Sequence, residues 1–239
     1  RKGDRGRLLV IGGGPYHGAP ILSGMAAARS GCDLVHVAMP SRAARRCEWP
    51  TSIIPEELPE EDLLTMSSMP SIEGIIQSGR RPDSIVRGPG LGRDERTTEA
   101  VRAILEMTTE GGIPVVVDAD AIGALPQGEW PRGMTGVATP HESEASRWLG
   151  EAEPQQALSG ITGEDSTIVI TGSEDRLTGP GGRQASARGG HPRMAVGGTG
   201  DLLAGAIGGL MAQGMPPWPA ARLGCAILRE AGERAAGQK

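Results

Sequence analysis

The sequence predicts an α/β fold with a mainly parallel central sheet covered by helices on both faces. Three observations predict it. Short apolar runs alternate with stretches of helical periodicity along the whole chain. Each apolar run ends in a Gly, Asp or Thr-Pro cluster. Pro114-Val115-Val116-Val117-Asp118 is continuously apolar and β-branched, the pattern of a parallel strand buried on both sides.

Taken in order, Leu8 to Ile11 reads as a buried strand running into Gly12-Gly13-Gly14. A helix follows over Pro20 to Arg29, with Pro tolerated in its first turn. Asp33 to Met39 is a second strand. Glu56 to Met66 and Ser71 to Ser78 read as short helices between loops. Ser84-Ile85-Val86 is a strand meeting Gly88-Pro89-Gly90-Leu91-Gly92. Asp94 to Thr109 is a helix whose buried face is Thr97, Val101, Ile104, Leu105 and Thr108. Gly136-Val137-Ala138 leads into Thr139-Pro140-His141-Glu142. Thr139 as N-cap and Glu142 at the third helical position would form a capping box, in a helix running to Leu149 and stopping at Gly150. Thr167 to Ile170 is a strand. Arg176 to Thr178 and Arg183 to Arg188 flank a Gly-Pro-Gly-Gly hairpin turn. Two helices close the chain, Thr199 to Gln213 and Pro219 to Ala236.

Length and composition narrow the function classes. A chain of 239 residues can bury a sizeable core in one large domain. The 38 Gly and 19 Pro residues sit at the ends of apolar runs, as turn positions, instead of forming a low-complexity tract. A net charge of −5, without a long basic block, argues against nucleic acid or an anionic membrane as partner. No apolar stretch reaches the roughly 20 residues that span a bilayer. Cys32, Cys47 and Cys225 have no metal-ligand spacing and read as free thiols of a cytoplasmic protein. The chain begins at Arg1 without Met, which suits a trimmed start or a domain cut from a longer protein.

Parallel sheets of this kind bind ligands at the carboxyl ends of their strands, so the clusters there are the candidate site. Gly197-Gly198-Thr199-Gly200-Asp201 precedes a helix. Its amides can face an anion, and the helix dipole favours phosphate. Asp201 in the first turn could deprotonate a hydroxyl attacking a phosphoryl group, or it could simply stabilise the helix N-terminus. The three glycines tilt the balance to an anion site, because an ordinary cap needs one permissive residue. Gly12 to Pro20 has neither the dinucleotide spacing nor a P-loop and reads alone as a tight turn. Gly88 to Gly92 is a plain turn or a place where backbone approaches ligand. Asp118 and Asp120 end a strand and suit a water-bridged Mg²⁺ or hydrogen bonds to loop amides equally. His141 remains for ligand contact once Glu142 is assigned to the cap, although a lone His there more often serves structure.

The order of these clusters resembles the NAD(P)H-hydrate dehydratase family, a carbohydrate-kinase-like branch of the ribokinase-like superfamily. The matching stretches are Lys2-Gly3-Asp4 with Gly6-Arg7, Gly12 to Pro20, Gly88 to Gly92, Asp118 to Ala121, Thr139-Pro140-His141 with Glu144, and Val196 to Gly205. The resemblance implies a single ribokinase-like domain over 1–239, often found behind an N-terminal epimerase domain. It implies repair of hydrated NADH or NADPH: ADP or ATP phosphorylates the ring hydroxyl, and phosphate is then eliminated. Asp201 would be the base. Ala19, Gly92 and His141, with Asp201, would hold the hydrated dinucleotide. Gly198, Thr199 and Gly200 would lie at the nucleotide phosphates, and Mg²⁺ would accompany them, with Asp118 as the candidate residue for it. A homo-oligomer, commonly a tetramer, is also implied.

Two stretches depart from the family. Its nucleotide loop usually contains Lys-Gly-Ala, whereas this chain has Thr171-Gly172-Ser173-Glu174-Asp175. Two acids there would repel polyphosphate if they faced it. Gly189-Gly190-His191-Pro192-Arg193 replaces the usual Thr-Gly-Asn-Pro-Gly, and Arg193 could restore the missing positive charge. A small-molecule kinase, for a sugar or vitamin alcohol, would share the glycine-Asp turn. The altered loop at 171–175 would instead suit a diverged relative that binds a nucleotide or a partner without turnover.

Overall fold

A computed structural model describes residues 5–78, 81–161 and 165–237. Lys2-Gly3-Asp4 of the resemblance lie outside the described residues. The elements in chain order are β1 (Arg7–Ile11), α1 (Gly18–Arg29), β2 (Leu34–Pro40), α2 (Ser41–Arg45), β3 (Ile54–Leu58), α3 (Met69–Gln77) and β4 (Ser84–Arg87). There follow α4 (Glu95–Glu110), β5 (Val115–Val117), β6 (Gly136–Ala138), α5 (Glu142–Leu149), α6 (Pro154–Ala157), β7 (Ser166–Ile170), β8 (Asp175–Gly179), β9 (Arg183–Ala187), α7 (Thr199–Ala212) and α8 (Pro217–Gly237).

The nine strands form one sheet in the order β3-β2-β1-β4-β5-β6-β7-β8-β9. All pairs from β3 to β7 are parallel, and β7-β8-β9 is antiparallel. The chain moves from β1 to β2 and β3, then returns to place β4 on the other side of β1. The strand order therefore reverses between β1 and β4, and a crevice opens outside their carboxyl ends. Gly13 there donates its N–H to Pro89 O at 2.8 Å, joining the two glycine clusters.

Two apolar layers sandwich the sheet. On one face Ile11, Ile85, Val115 and Val117 pack with Ile104 of α4 and Trp148 of α5. On the other Leu8, Val10, Val86 and Val116 pack with Leu203 and Ile207 of α7 and Ala221 of α8. The face expected for α4 is buried in full, together with Ala100, and Asp94 caps the helix by accepting from Arg96 N. Arg87 is an unexpected member of the first layer. It is wholly buried and donates to Thr108 Oγ1 at 2.8 Å, and burial pulls its guanidinium down to about 9.

Residues 41–78 correct the sequence reading. The expected helix over Glu56 to Met66 is absent. Ile54–Leu58 is instead the edge strand β3, parallel to β2. Pro55 and the two glutamates resemble a helix start in sequence, but they also suit an edge strand, where a missing N–H and exposed charges block further pairing. The second expected helix, over Ser71 to Ser78, is present as α3.

The sequence Leu203 to Ala212 of α7 is buried without interruption. Its small residues make this possible. A Cβ on Gly205 would collide with the Ser23 carbonyl oxygen of α1, and one on Gly209 would crowd Ala27. Gly208 lies in turn against Val86 and Leu8 of the sheet. Gly205→Ala is therefore expected to cost about 1–3 kcal/mol, the usual range for overpacking. Gly74→Ala in α3, where a Cβ meets nothing within 4 Å, should be neutral or gain a few tenths of a kcal/mol to about 1 kcal/mol. Urea denaturation of the two variants checks both.

Candidate active site

The carboxyl ends of β1, β4, β5, β6 and β7 supply the candidate residues, with the N-terminus of α7 facing them. Gly198 caps α7 in the left-handed conformation (φ 97°), and Leu22 of α1 occupies the place its side chain would take. The first N–H groups of α7 have no intrahelical acceptor. Asp201 stands in this first turn. Its carbonyl accepts the Ser23 hydroxyl at 2.9 Å, tying the turn to α1. Its half-buried carboxyl is pushed up to about 6, mainly by loss of water and further by the charge of Asp120.

Asp118 ends β5 and is buried. Its Oδ1 accepts the Thr139 hydroxyl at 2.7 Å. Burial pushes its carboxyl up to about 7 despite that bond, and Asp201 and Glu144 add repulsion. Asp120, two residues on, accepts the Gly92 N–H at 2.9 Å and lies 3.3 Å from Arg93 Nε. Ala119 between them has φ 48°, a strained value for a residue with a Cβ. Asp201 thus feels the charge of both Asp118 and Asp120 across the gap between α7 and the end of β5.

A cleft of about 750 Å³ opens beside this centre. Thr199 and Gly200 of α7 line one side of it, and His141, Thr171, Gly172 and Ser173 line another. The chain brings His141 and Thr171 together through a parallel bridge between the ends of β6 and β7, with Thr171 N donating to Pro140 O at 2.9 Å. Ala19, Gly92 and Asp201 are grouped by different contacts. Ala19 O lies 3.4 Å from the Ser23 hydroxyl that also holds Asp201, and Gly92 reaches Asp201 through Asp120.

The capping box before α5 sits two residues later than the sequence reading put it. His141, not Thr139, is the N-cap, and Glu144, not Glu142, is its partner. His141 Nδ1 accepts from Ser143 N at 3.2 Å and Glu144 N at 3.4 Å, while Glu144 accepts the His141 N–H at 3.0 Å. Thr139 was already committed, continuing the sheet by donating its N–H to Val117 O and binding Asp118. His141 therefore combines a capping role with a place on the cleft wall.

The two acids of the 171–175 loop do not confront the cleft as free charges. Glu174 pairs with Arg188 at 2.8 Å, and Asp175 is buried against Arg229 of α8. The acids therefore lend little to the non-catalytic reading, while Thr171 still stands where the family usually has Lys. Arg193 is exposed and is not itself among the residues lining the cleft, although His191, Pro192 and Met194 beside it are. Arg229, 54 residues from Asp175, is the cation that sequence reasoning missed.

Among the described residues, no group of three or more His, Cys, Asp or Glu side chains could hold a metal ion. Asp118 gives one oxygen to Thr139. This donor set does not fit an ion held by protein alone. It fits hydrated Mg²⁺ whose other ligands are phosphate oxygens, the usual mode for that ion.

The chain matches the NAD(P)H-hydrate dehydratase family over residues 8–239. It belongs to that family. It is 35% identical over its full length to the bifunctional NAD(P)H-hydrate repair enzyme of Hyperthermus butylicus, of which it spans 46%. It is 35% identical over 98% of its length to the ADP-dependent (S)-NAD(P)H-hydrate dehydratase of Cenarchaeum symbiosum, of which it spans 83%. The chain thus spans about half the length of the bifunctional relatives. Its fold is ribokinase-like and superposes on the Bacillus subtilis ADP/ATP-dependent NAD(P)H-hydrate dehydratase co-crystallised with ATP/Mg²⁺. That match has a TM-score of 0.77 and 23% identity, covering 100% of this chain and 82% of the other.

The repulsion between Asp120 and Asp201 gives a direct prediction. Asp120→Asn removes a negative neighbour, so the Asp201 carboxyl should titrate below about 6. The shift should be partial, because burial is the larger cause. Carboxyl-detected NMR titration of the two proteins measures it.

Proposed function

We propose that this domain dehydrates hydrated NADH or NADPH at the expense of ADP or ATP, returning the reduced cofactor. The observation that carries the proposal is the placement of Asp201. A carboxylate of raised proton affinity stands in the same helical turn as backbone amides that open onto a nucleotide-sized cleft. Its family membership supports the same reading.

The proposed roles combine this arrangement with the family resemblance. Gly198, Thr199 and Gly200 present the positive end of α7 to the terminal phosphate. Thr171, Gly172 and Ser173 flank the nucleotide across the cleft, with Glu174 and Asp175 closing that loop through their arginine partners. Ala19, Gly92 and His141 hold the hydrated ring so that its hydroxyl faces Asp201. Asp201 takes the hydroxyl proton as the oxygen attacks the terminal phosphorus, and AMP or ADP leaves. Loss of the new phosphate ester as inorganic phosphate, with a ring proton, restores the double bond. Mg²⁺ supplies charge neutralisation on the phosphates, and Asp118 would hold a water of its shell. The proposal extends to a cytoplasmic location, which three unpaired thiols suit, and to the homotetramer implied by the resemblance.

A base with its carboxyl near 6 is ionised at neutral pH yet close enough to it to accept a proton. Below that value the protonated form cannot act. The acid limb of activity is therefore expected near pH 6, and a plot of kcat/KM against pH checks it. In an assay of hydrated NADH with ADP and Mg²⁺, wild type should raise NADH absorbance. Asp201→Asn should lower the rate by orders of magnitude, at least about 10²-fold, with ADP still bound. A stable phosphorylated product without NADH would instead identify a small-molecule kinase.

A further inference from the structure

We infer that Arg229 is the positioning residue of the nucleotide loop, and that its ion pair with Asp175 governs nucleotide affinity and not turnover. The inference rests on the reading of the cleft given above and goes beyond it. Arg229 lies on α8, far from the glycine turn in sequence, and is buried. Its Nε and Nη2 meet the two Asp175 oxygens at 2.8 Å each, a bidentate pair. Nη2 also donates to Gly172 O at 2.9 Å. Nη1 donates to Ser173 O at 2.9 Å and to Gly189 O at 2.6 Å.

A guanidinium has five N–H donors in a planar fork, and five bonds are made here. They join three separate pieces of chain: the turn between β7 and β8, the segment after β9, and α8. Asp175 completes the turn by accepting the Gly172 N–H at 3.2 Å. Gly172, Ser173, Asp175, Gly189 and Arg229 all line the 750 Å³ cleft. One cation thus collects a carboxylate and the negative ends of three carbonyl dipoles on the wall of a site that must accept a polyphosphate. Without it the wall would repel the ligand, and the turn would lose its tie to α8 and to the segment after β9. Asp201, Asp118 and Asp120 make none of these contacts, so the chemistry should be spared.

Lysine keeps the charge but offers three donors without the fork, so Arg229→Lys separates geometry from charge. The test measures ADP and ATP binding by calorimetry, and steady-state kinetics with hydrated NADH, on wild type, Arg229→Lys and Asp175→Asn. For Arg229→Lys, the nucleotide Kd and KM should rise about tenfold or more, with kcat within about threefold. The KM for the hydrated dinucleotide should stay within about twofold. Asp175→Asn keeps the carbonyl bonds and should show a smaller rise in the same parameters. It also provides the reading if Arg229→Lys does not fold. Unchanged nucleotide Kd in folded Asp175→Asn and Arg229→Lys would overturn the inference, as would a fall in kcat with nucleotide KM unaltered. A wild type that binds ADP or ATP but does not convert hydrated NADH defeats the proposed function alone, and Kd then decides the loop's role. A wild type that binds neither nucleotide overturns both.

Discussion

Helix α7 can reach the strand ends only because it lies almost backbone to backbone against α1. Gly205 and Gly209 face Ser23 and Ala27 with no room for a side chain. That close approach lets the Ser23 hydroxyl bind the Asp201 carbonyl. The first turn of α7 is thereby held in place, with Thr199 and Gly200 on the cleft wall and Asp201 near enough to Asp118 and Asp120 to feel their charge. The same helix rests on Val86 and Leu8 through Gly208. A packing constraint in the core therefore sets the geometry of the candidate chemistry.

The electrostatics are balanced between opposing needs. Three carboxylates meet at the end of β5 and on α7, and burial raises the proton affinity of Asp118 and Asp201. That is a costly arrangement for stability and a useful one for a base. A polyphosphate must nevertheless approach. The structure removes negative charge elsewhere to permit it: Glu174 is matched by Arg188 and Asp175 by Arg229. The N-terminus of α7 then faces the cleft as a positive dipole end. At the centre, Asp120 has Arg93 beside it while Asp118 is bonded to Thr139, and a site completed by Mg²⁺ and phosphate would suit the charge left there.

Much of this was legible in the sequence because it is local. The β-branched run of β5, the glycine clusters after β1 and β4, and the α4 stripe each carry their signal within a few residues. The misreadings have equally physical causes. Ile54–Leu58 pairs on one side only, so it needs no apolar alternation and can carry Pro55 and two glutamates. Thr139 to Glu142 and His141 to Glu144 have the same spacing, and only the sheet contacts of Thr139 decide between them. Arg229 gave no local signal, because its partners come from three distant pieces of chain.

The central claim concerns where a phosphate sits relative to one carboxylate. A crystal structure of the domain with ADP and Mg²⁺ tests it most directly. The account predicts the terminal phosphate on the amides of Gly198 to Gly200, with the Asp201 carboxylate beside it and open to the space bounded by Gly92 and His141. Nucleotide bound away from the start of α7, or Asp201 turned from the phosphate into packed side chains, would contradict it.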